Sequence, residues 1–77
     1  MKHLVNKIIH WQKVKHVLPV PGKLVICQDI DDEFKYFIAQ FEPTTFYDRP
    51  EFCFRDYHDD GYDHRISSVK KWAYIKL

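Results

Sequence analysis

The chain has 77 residues and 9.4 kDa, is 45% hydrophobic and 17% aromatic, and sets 12 Lys and Arg against 11 Asp and Glu. A chain this short hides only about 60% of the surface it exposes when unfolded, which leaves room for one domain, 1–77, and none for a two-domain enzyme with an enclosed cleft. The composition is that of a folded globule, neither a disordered tail nor a histone-like basic protein.

In the first segment Leu4, Val5, Ile8 and Ile9 fall at helical spacing, which predicts a short helix over 1–10 that leans on the rest of the domain. Lys2, His3, Asn6 and Lys7 break that stretch before it can form a signal-peptide core. No apolar run approaches the roughly 20 residues of a membrane span, so the expectation is a cytoplasmic protein. Pro19, Pro21 and Gly22 then mark a turn.

Residues 23–30 (KLVICQDI) and 34–41 (FKYFIAQF) read as strands joined by a polar hairpin loop at Asp31, Asp32 and Glu33. Neither alternates cleanly, so both faces are partly covered. Residues 42–51, with Pro43 and Pro50, read as an irregular connection, and 52–57 as a third strand. Asp59, Asp60 and Gly61 signal a tight turn, and 69–77 supplies the last strand. The predicted class is α+β, mostly β: a small antiparallel sheet of three to five strands over 11–77, with a short N-terminal helix.

Every acidic residue lies between Asp29 and Asp63, a window holding 11 acids against three bases, a balance of −8. Ten of the 13 aromatic residues share it. If the loops gather on one side, they form an acidic surface with exposed tyrosines, suited to a basic protein partner. The residues placed in that surface are Asp31, Asp32, Glu33, Tyr47, Asp48, Asp56, Tyr57, Asp59, Asp60, Tyr62 and Asp63. The plainer account is that acids gather in loops because loops are solvated. Direct nucleic-acid binding is disfavoured because the aromatic residues have anionic neighbours; Lys13, Lys15, Lys70 and Lys71 offer at most a weak basic patch.

Candidate chemistry thins out on inspection. The run 56–67 resembles a calcium loop, but His58 stands at its third position and Ser67 at its twelfth, where the bidentate Glu belongs. Cys27, Cys53, His58 and His64 are zinc-type ligands without zinc-type spacing. Cys53 beside His58 or His64 lacks the cationic setting a thiolate needs, and no phosphate-cradling glycine pattern occurs. The expectation is no enzyme, no metal and no cofactor. Both cysteines fit buried reduced thiols, with a Cys27–Cys53 disulfide the open alternative.

Trp11 with Val14, Leu18-Pro19, Gly22 before Leu24 and Val25, and Val69 with Trp72 follow the pattern Trp-x-x-Val, Leu-Pro, Gly before a Val-rich strand, and closing Val-x-x-Trp. In these motifs the chain from Trp11 onward resembles a family of small phage and prophage proteins, domain-of-unknown-function family 551. It departs where Trp72-Ala73-Tyr74-Ile75 replaces the usual Trp-x-Pro-Leu. The two tryptophans are expected to pack together and pin the first and last strands. The resemblance implies a phage setting, in which a short protein binds and blocks a host protein, here a basic, nucleic-acid-handling defence component. Two other classes stand beside this one: a small-ligand or nucleotide module using Tyr36, Phe54 and Tyr57, and a self-associating subunit, a homodimer.

Overall fold

In a computed structural model, residues 10–59 and 62–75 are described. They form one six-stranded antiparallel sheet: β1 (Gln12–Lys13), β2 (Leu24–Asp29), β3 (Tyr36–Phe46), β4 (Arg49–Asp56), β5 (Asp63–Arg65) and β6 (Val69–Tyr74), in the order β1-β6-β2-β3-β4-β5. The class is therefore all-β and not α+β. There are six strands where three to five were expected, and no α-helix among the described residues, only a 3-10 turn at Ile66–Ser68. The helix expected over 1–10 falls almost wholly on residues outside those described.

β2 to β5 run as a meander. The 3-10 turn then carries the chain across to the far side of β2, where β6 pairs with it in the register Val25↔Tyr74 and Cys27↔Trp72. β1 adds to β6 through Gln12↔Trp72. One face collects Val25, Cys27, Ala39, Phe41, Phe54 and Trp72 as the core, with Val14, Phe37 and Ile66 packed against it. β1 and β4 are four strand positions apart, roughly 19 Å in a flat sheet, yet Lys13 and Phe52 line a single groove. The sheet is thus curled around its apolar face.

The stretch 42–51, expected to be irregular, instead extends β3 and β4 into a long hairpin with Phe46↔Arg49 as its last pair. Both prolines fit because their nitrogens face away from the partner strand. The Phe41 carbonyl accepts the Gly22 N–H at 2.7 Å, so Phe41, and Pro43 two residues on, direct their backbone groups away from β4. β2 pairs with β3 only as far as Gln40, and β5 pairs with β4 only from Cys53 onward. Pro43 and Pro50 therefore each face a side with no strand opposite. Tyr47 and Asp48 close the hairpin at φ 49° and 65°, the positive angles of a type I′ turn.

The tryptophans do not pack together. Trp72 is buried, and its indole N–H donates to the Val17 carbonyl at 2.9 Å. Trp11 lies against Tyr36 with ring centroids 5.9 Å apart and under the Lys71 ammonium at 4.6 Å. Being one residue out of step with Gln12, which pairs with Trp72, it falls on the opposite face. Backbone pairing of β1 to β6 is what joins the two ends of the chain.

Candidate functional site

Loops of a meander alternate between its two ends. The β2–β3 and β4–β5 loops accordingly share one end, and the β3–β4 turn occupies the other. Of the residues expected in one surface, Asp31, Asp32, Glu33, Tyr57, Asp59 and Tyr62 lie at the shared end, while Tyr47 and Asp48 lie at the opposite one. Asp60 is outside the described residues.

Both loops at the shared end are built by the same device, an aspartate on the last residue of a strand. Asp29 Oδ1 accepts the N–H groups of Asp31 and Asp32 at 2.8 and 3.2 Å. Asp56 Oδ1 accepts those of His58 and Asp59 at 2.9 and 2.8 Å. Asp in this role mimics a turn of backbone and folds the next residues into a compact loop. Asp32 repeats the bond on a smaller scale, taking the Phe34 N–H at 3.0 Å. From below, buried Gln28 donates to the Glu33 carbonyl at 2.9 Å and to the Tyr36 hydroxyl at 3.2 Å, its own Oε1 remaining without a partner.

Two further acids are absorbed by the fold. Asp56 Oδ2 bonds His64 Nε2 at 2.9 Å, and that imidazole is stacked on Phe37 at 3.9 Å and lies 4.6 Å from the Tyr62 ring. Asp63 takes Arg55 Nε at 3.2 Å and the Thr44 hydroxyl at 3.0 Å. Asp56 and Asp63 are thus both tied into the fold by hydrogen bonds and only part-exposed. Exposed at the acidic end are the carboxylates of Asp31, Asp32, Glu33 and Asp59, with three aromatic rings among them: Phe34 (84% exposed), Tyr57 (59%) and Tyr62 (55%).

Neither cysteine has the setting of a nucleophile. Both are free and buried, on strands separated by β3 and on opposite faces of the sheet, an arrangement no disulfide spans. Burial, with the charge of Asp56 nearby, pushes the Cys27 thiol up to about 12. Burial and the neighbouring Asp63 push Cys53 up to about 11.

The curl creates a second feature that the sequence reading missed. A groove of about 780 Å³ opens between β1–β6 on one side and β4 with the 3-10 turn that follows β5 on the other. Val14, Ile30, Phe52, Ile66 and Val69 give it apolar walls, and Lys13, Lys15, Glu51, Arg65 and Lys70 also contribute to its lining, although by register Lys13 and Arg65 lie on the face opposite the core and the Arg65 guanidinium sits 4.5 Å from the Phe46 ring. Three of those cations were visible as flank lysines. Their convergence on an apolar hollow was not, because the lining comes from four separate stretches of chain. No family model, curated protein or solved structure matches the chain. Among the described residues, no helix is long and apolar enough to cross a membrane.

Proposed function

We propose that the protein is a non-enzymatic binding module that docks its acidic, aromatic end on a basic surface of a partner protein. The observation that carries this reading is the projection of two aspartate-built loops from one end of the sheet, with four exposed carboxylates interleaved with exposed rings. Like-signed charge speeds encounter with an opposite surface. Exposed rings held on short, hydrogen-bonded loops supply contact area at little further entropic cost. Two thiols held protonated at neutral pH favour binding over covalent chemistry. We take a nucleic-acid-handling host protein as the partner class, with inhibition as the outcome of occupying its basic channel, on the resemblance of the Trp11–Val14 and Val69–Trp72 motifs to those of small phage proteins alone.

The test is capture from host lysate by the wild type and by the D31N/E33Q/D59N variant at low and high salt, followed by identification and re-binding of the purified partner. The expected result is an interaction weakened at least tenfold in the variant and progressively by salt, since exposed charges are screened within about 10 Å at 0.1 M. Equal binding by the variant, salt-insensitive binding, or no partner overturns the reading.

A further inference from the structure

The β2–β3 loop holds Phe34 out to water on a frame tied at every residue. Its base is closed by the Asp29 N–H donating to the Lys35 carbonyl at 3.0 Å, and the Ile30 N–H donates to the Ser68 carbonyl at 2.9 Å. The Lys35 N–H donates to the Asp32 carbonyl at 3.0 Å. Together with the side-chain bonds made by Asp29, Asp32 and Gln28, each residue from Asp29 to Lys35 has a backbone group in a hydrogen bond. The Phe34 ring on this frame is 84% exposed. The other two rings of the acidic end pack on their own chain, Tyr57 edge-on to His58 at 5.5 Å and Tyr62 at 4.6 Å from His64. Among the described residues Phe34 has no aromatic neighbour, so folding leaves most of its apolar area unused.

We propose that Phe34 is the anchor of the acidic end: it enters an apolar pocket of the partner protein whose mouth is lined by Arg side chains, while Asp31, Asp32 and Glu33 bring the two surfaces together. This rests on docking at the acidic end and adds a division of labour within it. Charge complementarity selects the pocket. Asp31, Asp32 and Glu33 are all exposed beside the ring. An apolar mouth would strand three carboxylates without partners, and a wholly polar hollow would give the phenyl group nothing to pack on. A guanidinium satisfies both, because its edge bonds a carboxylate and its face stacks on a ring. The tied loop selects Phe34 over a mobile side chain, since a ring already fixed in place is immobilised at little further entropic cost. Rim charges act mainly on the rate of association and a buried anchor on the rate of dissociation.

Surface plasmon resonance with the purified partner protein, identified by capture and immobilised, tests the proposal with wild type, F34A, F34L, Y57A and D31N/E33Q. F34A is expected to dissociate at least about tenfold faster, with its association rate within about twofold of wild type. F34L, which keeps an apolar side chain, is expected to recover most of that loss. D31N/E33Q is expected to show the converse, a slower and less salt-sensitive association with a nearly unchanged dissociation rate. Y57A, at the same end, is expected to stay within about threefold of wild type in both rates. Phe34 is exposed, so the urea midpoint of F34A should match that of wild type. F34A dissociating at the wild-type rate, or losing affinity through association alone, overturns the anchor and leaves docking at the acidic end intact. Binding that is insensitive to salt and to D31N/E33Q, or no partner at all, overturns docking at that end and the anchor with it.

Discussion

Asp56 supports the acidic end without presenting its charge there. Its carboxylate caps the β4–β5 loop with one oxygen and holds His64 with the other, at side-chain exposures of 14% and 10%. Burial alone would raise its pKa; the His64 bond and the backbone N–H groups of Asp59 and His58 outweigh that and hold it below the ordinary carboxylate value. A carboxylate lowered in the folded state contributes stability that is fully present above its unfolded pKa of about 3.9 and is lost as pH falls through the folded value. Asp56→Asn is accordingly expected to lower stability at pH 7 by about 1.5–3 kcal/mol, the range for hydrogen bonds to charged groups. Urea titrations at pH 7 and pH 3 should show the difference between variant and wild type narrowing in acid. The sequence shows Asp56 inside an acidic run and nothing more. That its strand pairing sets it beside His64, diagonal to the Phe54↔His64 pair, is a fact of register, and register cannot be read from a window of charge.

The β3–β4 hairpin is the element where reading and structure part furthest. Its two prolines argued against a strand, because proline cannot donate to a ladder. The prolines fall where no donor is needed, and the turn uses Tyr47 and Asp48. Arg65 helps to hold it, with its guanidinium 4.5 Å from the Phe46 ring centroid and 5.4 Å from that of Tyr47. Y47N/D48G should relieve backbone strain worth of order 1–3 kcal/mol per residue, while giving up about 0.5 kcal/mol of exposed cation–π contact. The expected net is a stabilisation of at least about 1.5 kcal/mol, read as a higher urea midpoint with an unchanged slope. Strands 23–30 and 52–57 and the last strand were legible because their β-rich runs are bounded by turn residues. β1 and β5, of two and three residues, are too short to leave a pattern.

At the scale of the molecule, the acidic end was half legible. The charge window named the acids, and the parity of a meander decides which of them meet; with the strand count short, Tyr47 and Asp48 were grouped with loops that point the other way. The groove was not legible, since it exists only through the curl that brings β1 toward β4. That curl rests on a small core in which Trp72 is the largest fully buried side chain. Trp72→Phe removes the indole bond to the Val17 carbonyl and leaves a gap, at an expected cost of about 2–4 kcal/mol. A chain of this length commands only about 4–12 kcal/mol in total, so calorimetry should show the variant melting well below the wild type.

The opposed directions of the loops also give the molecule a usable handle. The Tyr47-Asp48 tip is solvent-exposed and points away from the end that carries the exposed carboxylates and rings, so a cysteine-linked dye, a short epitope or a biosensor tether attached there would orient every copy alike. Its recognition end would then face outward, unobstructed by the attachment.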